Sequence, residues 1–255
     1  MDIVCNNIKK TYGSVKALQS ASISVRSGQV HALLGGNGSG KSTLAKILGG
    51  SVKRDSGEIM LNNREVHISS PEDSRKLKII MTSQELSLLT NLSVEENLSL
   101  CQLPKKNLFV DKKKVRRDAE EILGKYNMTH LLSKKIAELP PNEQYLVEFF
   151  KALIQEPEVL IIDEITSALY TKDVTLVKTI IDELKGKGCA VLFISHRLSE
   201  IFSICDTVTI MRNGLTIASY NISETNEDEL LAEMVGEEKA EIEEEKALIE
   251  KGRAY

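Results

Sequence analysis

Apolar and polar positions alternate with a period of two at the start of the chain, helical spacing follows, and strand-like and helical runs alternate in the second half. Ile3–Ile8, Ala21–Val25 and Val30–Leu34 read as strands, followed by a Gly-rich turn and a helix over Lys41–Gly49. Further strands are predicted at Glu58–Leu61, Glu65–Ile68 and Lys78–Met81. Between Ser93 and Leu153 apolar residues recur at helical intervals, with few β-branched clusters, which predicts helix throughout.

Strand and helix then alternate. Val159–Ile162 and Ala190–Ile194 are continuous apolar runs, as strands covered on both faces of a parallel sheet require. Val174–Leu184 and Leu198–Ile204 read as helices. Thr207–Met211 and Leu215–Ser219, joined across Asn213-Gly214, predict a hairpin. The expected fold class is thus an α/β core interrupted by a helical insert. Glu237–Lys251, rich in Glu and Lys, reads as a solvated helix or tail.

Composition narrows the picture modestly. A hydrophobic fraction of 42% over 255 residues suffices for a sizeable core. With 33 basic against 37 acidic residues, nothing points to nucleic acid. Cys5, Cys101, Cys189 and Cys205 are scattered without a CxxC pair, so reduced and mostly buried thiols are expected. The apolar runs fall far short of the roughly 20 residues that span a bilayer. The opening residues carry no basic-then-apolar leader. A cytoplasmic protein is expected, with any membrane association made through a partner.

The candidate chemistry begins at Gly35. Gly35, Gly36, Asn37, Gly38, Ser39, Gly40, Lys41, Ser42 and Thr43 satisfy G-x-x-x-x-G-K-[ST], after an apolar run and at the opening of a helix. Glycines let backbone N–H groups turn inward around phosphate oxygens, and the helix start adds its positive dipole end. Lys41 is placed to reach β- and γ-phosphates, and Ser42 to bind Mg²⁺. Val159–Thr166 supplies a second half: Asp163, at a strand end, can hold Mg²⁺, and Glu164 can orient and deprotonate an attacking water. His196, after the strand Ala190–Ile194, falls where it can sense a γ-phosphate. Gln84, just after Lys78–Met81, can contact Mg²⁺ or the water and report that contact to the insert. Tyr12 can stack on adenine. His31 and His67 read as structural.

These motifs, in this order, resemble the nucleotide-binding subunits of ABC transporters over residues 1–236. The likeness is stronger to the N-terminal half of the ATPases of bacterial monosaccharide importers. It is carried by Lys10–Leu18, His31–Leu44, Ser83–Leu98, Val147–Leu153, Phe193–Phe202 and Met234-Val235-Gly236. The resemblance implies a P-loop NTPase (RecA-like) core over 1–84 and 155–236, with an N-terminal antiparallel β subdomain. It also implies an inserted α-helical subdomain over about 85–154, leaving 237–255 as a charged linker or tail. It assigns adenine to Tyr12, phosphates to Gly35–Thr43, metal to Ser42 and Asp163, water to Glu164, γ-phosphate to His196 and coupling to Gln84. The implied cofactors are ATP and Mg²⁺. The implied partners are a second ABC ATPase domain, transmembrane permease subunits and, indirectly, a substrate-binding protein, which place the chain on the inner face of the membrane.

One departure stands out. Where the family carries Leu-Ser-Gly-Gly-Gln, this chain reads Leu139-Pro140-Pro141-Asn142-Glu143-Gln144. In the family that serine hydroxyl and those glycine amides close over the γ-phosphate held by the opposite domain. Pro140 offers neither hydroxyl nor N–H, and the Asn142 side chain is expected to hinder close approach. The expectation is an ATPase that needs an asymmetric partner. The alternatives are a regulatory nucleotide-binding module that does not turn over, and a soluble, non-transport ABC ATPase.

Overall fold

The computed structural model describes residues 1–82, 86–102, 104–106 and 109–235. Strand β1 (Ile3–Tyr12) and strand β2 (Val15–Val25) form a long antiparallel hairpin through Gly13-Ser14. The predicted strands Ile3–Ile8 and Ala21–Val25 are only its inner halves. The outer halves carry Lys9, Lys10, Lys16 and Gln19, polar enough to hide the pattern, yet the ladder runs on to Tyr12 opposite Val15.

Strand β3 (Val30–Leu34) feeds helix α1 (Lys41–Leu48). Strand β4 (Ser56–Leu61) pairs with β1, and β5 (Arg64–Glu65) closes that edge. The predicted strand Glu65–Ile68 is cut short, although the Val66 amide still donates to the Ile59 carbonyl at 2.8 Å. Helix α2 (Pro71–Lys76), capped by Ser70, precedes β6 (Ile79–Met81).

The insert contains α3 (Val94–Ser99), the short pair β7 (Lys105–Lys106) and β8 (Phe109–Val110), α4 (Lys112–Gly124) and α5 (Pro141–Leu153). It is therefore not helical throughout. Ser93 and Glu96 form a capping box at the start of α3. Leu98, Leu123, Leu146, Phe149 and Phe150 pack as one apolar interior that joins the insert to the core.

The remaining elements are β9 (Val159–Asp163), α6 (Thr171–Gly186), β10 (Ala190–Ile194) and α7 (Leu198–Ile204). The antiparallel pair β11 (Thr207–Arg212) and β12 (Leu215–Asn221) is the predicted hairpin, and α8 (Glu227–Val235) follows it. Strands β11, β3, β10, β9 and β6 lie parallel in that order. Beyond β12, a single pairing of Leu215 with Ser20 joins this sheet to the antiparallel one.

Every residue of β3, β9 and β10 is buried. Side chains alternate between two interiors. Ala32, Leu34, Leu160, Ile162, Val191 and Phe193 face the insert and α6, whereas Leu33, Val159, Ile161, Ala190, Leu192 and Ile194 face α1 and the antiparallel strands. Two apolar layers thus fix the height of the strand ends. No helix among the described residues is long and apolar enough to cross a membrane.

Candidate functional site

The three central strands stop at the same edge. Leu33 on β3 and Asp163 on β9 both stand opposite Ile194 on β10, so strand spacing puts the ends of β3 and β9 roughly 10 Å apart. The chain leaves β3 into Gly35–Thr43, β10 into Ser195-His196, and β9 into Glu164. Two stretches distant in sequence therefore meet at one sheet edge, flanking the residue that follows β10.

Two glycines in the loop are dictated by packing. A Cβ on Gly35 would collide with the Met211 carbonyl and stand 2.6 Å from Ser39 Oγ. Gly40, at φ 103°, would bring its Cβ to 2.8 Å from the Ala17 carbonyl and 2.6 Å from Leu18 Cδ2. The tip, Gly36-Asn37-Gly38, is exposed, while Ser39 is buried and Ser42 and Thr43 are half-buried. Helix α1 starts directly from Gly40 with no acidic residue in its first turn, so its amide end keeps its positive character.

Lys41 lies buried under this loop. Its Nζ donates to the carbonyls of Gly35 at 2.8 Å and Gly36 at 3.0 Å, and to Ser39 Oγ at 3.4 Å. Burial depresses its pKa, while the charges of Glu164 and Asp163 act the other way. The lysine thus holds the loop in shape by bonding to the loop's own oxygens.

Asp163 is 1% exposed, and neither carboxylate oxygen has a hydrogen-bond partner. Its backbone amide donates to Thr82 Oγ1 at 3.2 Å. Burial first, then the neighbouring charge of Glu164, pushes its carboxyl up to about 6 against the pull of Lys41 and Lys46. A buried, unpaired carboxylate is costly and calls for an explanation. A hard dication fits it, because such ions take oxygen ligands, and the Ser42 hydroxyl on the first turn of α1 is of the same class. Among the described residues no three His, Cys, Asp or Glu side chains gather in a metal-holding group. A magnesium ion here would draw its other ligands from phosphate and water.

Glu164 sits at φ 51°, a left-handed conformation uncommon for a residue with a side chain. His196 Nδ1 lies 3.5 Å from Glu164 Oε1, with His196 largely exposed. Strain at Glu164 is held by its amide bond to the Ile194 carbonyl and by Ser167 Oγ, which donates to the Glu164 carbonyl at 2.7 Å. Tyr12, 46% exposed, stands at the tip of the β1–β2 hairpin whose Ala17 and Leu18 abut Gly40, and Lys10 Nζ lies 5.5 Å over its ring. Gln84 lies outside the described residues, which resume at Leu86.

The site has members that motif reading missed. Thr82 is fully buried and holds the backbone of Asp163. Glu200, on α7, accepts hydrogen bonds from Thr166, Ser195 and Arg197. Thr82 reaches Asp163 on β9, and Glu200 reaches Thr166 in the loop after β9, contacts between segments far apart in sequence that no local spacing announces.

The loop before α5 differs from the expectation in one respect. The Asn142 side chain does not project over the surface: it is buried, and its Nδ2 donates to Asp173 Oδ2 on α6 at 3.0 Å. What sets this helix start apart from that of α1 is Pro140 as its cap, Pro141 as its first residue and Glu143 in its first turn. Two amides are missing and a carboxylate is added.

A model of the ABC transporter family matches residues 18–167. The ribose import ATP-binding protein RbsA 1 of Mesorhizobium japonicum is 40% identical over 237 residues, covering 92% of this chain and 46% of that protein. The galactose/methyl galactoside import ATP-binding protein MglA of Haemophilus influenzae is 39% identical over 236 residues, covering 92% and 47%. The chain spans about half the length of the curated relatives it matches. Among solved structures, a nucleotide-free ATP-binding cassette from an ABC transporter superposes with a TM-score of 0.81 at 29% identity, covering 95% of this chain and 98% of that one.

Proposed function

This chain belongs to the ABC transporter family, and from that premise we propose that it is the ATP-binding and hydrolysing motor of an importer whose cargo is a monosaccharide. The observation that carries the reading is the meeting of Gly35–Thr43, Asp163, Glu164 and His196 at one strand edge, with Asp163 buried and unpaired. The amides of the loop and the N-terminus of α1 neutralise phosphate oxygens. Lys41 exchanges its bonds to the Gly35 and Gly36 carbonyls for bonds to β- and γ-phosphates. Ser42 and Asp163 would hold Mg²⁺, which when bound would supply charge neutralisation for the transferring phosphoryl group. Glu164 orients the attacking water and accepts its proton. His196, beside Glu164, steadies the γ-phosphate, and Tyr12 offers the ring face opposite Lys10 to adenine. Gln84 is assigned to contact Mg²⁺ or the attacking water and to report that contact to the insert.

In this reading residues 1–236 form the ATPase domain, with the insert at about 85–154, and 237–255 form a linker or tail. ATP closes this domain on a second cassette, and permease subunits on the inner face of the membrane follow that closure. A substrate-binding protein delivers the sugar. The cargo class is supported by the likeness to RbsA 1, a ribose import protein, and MglA, a galactose/methyl galactoside import protein.

The start of α5 refines the partner. Pro140 and Pro141 lack amides, and Glu143 adds negative charge where a partner's triphosphate would dock. The second cassette is therefore a different domain that brings a sound closing loop, not a second copy of this chain.

The test is nucleotide binding and turnover by the purified chain. The wild type is expected to bind Mg²⁺–ATP and to hydrolyse it with a complementary cassette present. Lys41→Ala should lose binding, and Glu164→Gln should bind ATP while turnover falls about 10²–10⁴-fold. Equal ATP affinity in wild type and Lys41→Ala would refute the phosphate assignment.

A further inference from the structure

Glu200 serves no purpose in the scheme above, yet it is a buried carboxylate on α7, 6% exposed and bonded on every side. Its Oε2 accepts from Thr166 Oγ1 at 2.7 Å and from Ser195 Oγ at 2.9 Å, and its Oε1 accepts from Arg197 Nη1 at 3.2 Å. The donors are placed tellingly. Ser195 and Arg197 flank His196 in sequence, and Thr166 lies two residues after Glu164. Ser195 Oγ also accepts the Arg197 amide at 3.1 Å. Arg197 Nη2 donates to the Ser167 carbonyl at 3.2 Å, and the Ser167 hydroxyl holds the Glu164 carbonyl at 2.7 Å.

We infer that Glu200 is a positioning residue that locks the loop after β9 to the loop after β10 and so sets the distance between Glu164 and His196. The inference rests on the proposed ATPase reading only for its consequence in turnover. The geometry itself does not depend on that reading.

Three arguments support it. The left-handed backbone of Glu164 has to be held by its surroundings, and the Thr166 and Ser167 bonds do this within one turn of it. His196 is more than half exposed, so packing does not fix its ring and its backbone must be fixed from both sides. A carboxylate is also the acceptor suited to the task, because one oxygen takes two hydroxyl donors while the other takes a guanidinium.

Replacing it separates these links. Glu200→Gln keeps an oxygen for the two hydroxyls but turns an NH₂ donor toward Arg197, so the Arg197 side of the clamp on His196 is lost. Thr166→Val keeps the shape and removes only the arm to the Glu164 loop. It is the second variant should the Gln substitution impair folding.

The first readout needs no activity. Side-chain NMR of the nucleotide-free chain resolves the histidines, of which His67 and His130 lie elsewhere and serve as controls. Both Glu200→Gln and Thr166→Val should shift the His196 imidazole resonances and leave His67 and His130 in place. An unmoved His196 signal in both variants overturns the inference. The second readout is turnover with a complementary cassette. Glu200→Gln should lower kcat about 10- to 100-fold with nucleotide Kd changed less than about 3-fold. In the Glu164→Gln background the same substitution should add less than about 2-fold, because the group it positions is already disabled. Additive losses in the double variant, or a fall in kcat matched by a rise in Kd, also overturn it. A wild-type chain that never hydrolyses ATP refutes the functional reading, while the NMR comparison still decides the positioning role.

Discussion

Asp163→Asn should stabilise the nucleotide-free protein, contrary to the usual effect of altering a buried residue. Both carboxylate oxygens are buried without partners, and the carboxyl titrates at about 6 in place of 3.8. The sign follows from that elevation. A raised folded-state value means the folded chain binds the proton more tightly, so stability is full below about pH 4 and is lost as pH rises through 6. Two units correspond to about 3 kcal/mol of destabilisation once the group is ionised. An unpaired amide in the same place costs roughly half of that, leaving a net gain of about 1–2 kcal/mol at pH 8. For a domain of this size the melting temperature should rise by about 3–6 °C. The assay is thermal unfolding of wild type and variant at pH 8 and pH 5, without nucleotide or divalent metal. The gain should be large at pH 8 and shrink at pH 5. Adding Mg²⁺–ATP should reverse the order, because a ligand at a hundred times its Kd stabilises the wild type by about 2.7 kcal/mol and the variant forfeits most of that. A variant that melts below wild type at pH 8, or that gains equally at both pH values, would refute the reasoning.

Two further outcomes follow from other parts of the molecule. His31, buried between Thr207 and Thr209 and hydrogen-bonded to both, is pushed down to about 4 by burial. The unfolded chain therefore takes up a proton below pH 6.5 that the folded chain refuses, and stability should fall by up to about 3 kcal/mol between pH 6.5 and pH 4. Urea unfolding across that range should show a steeper loss for wild type than for His31→Gln, and parallel curves would contradict it. At the other helix start, Glu164→Gln protein should stay monomeric with ATP. Adding Pro140→Ser, Pro141→Ala and Glu143→Gln, which restores both amides and removes the carboxylate, should yield an ATP-dependent dimer in light scattering, and dimerisation of Glu164→Gln alone would dismiss the asymmetry.

How much of this could be read from the sequence depends on whether the cause was local. Val159–Ile162 and Ala190–Ile194 were legible because a strand buried on both faces must be apolar at every position. The outer halves of β1 and β2 were not, because Lys9, Lys10 and Lys16 belong to a ladder held by backbone bonds. Helix α2 escaped notice since Ser74 is its only buried residue, which leaves no apolar period to detect. In the site, Gly35–Thr43 is contiguous and announces itself, whereas the Glu200–Thr166 and Thr82–Asp163 contacts join segments that only the sheet brings near. Asn142 misled for the same reason: sequence supplies the bulk of a side chain but not its direction, and Asp173 turns it inward.

The two helix starts make the asymmetry a matter of electrostatics. At α1 the amide end faces a loop of glycines, Lys41 lies beneath it, and no acid stands in the first turn. The buried Asp163 nearby leaves a charge imbalance that a metal-bound triphosphate is suited to relieve. At α5 the same kind of helix end has lost two amides to proline and carries Glu143. One end of this molecule is built to receive an anion and the other to do without one. In the proposed motor the two ends are therefore poorly matched as donor and acceptor of the same triphosphate in a symmetric pair, which is why the partner is proposed to be a different domain.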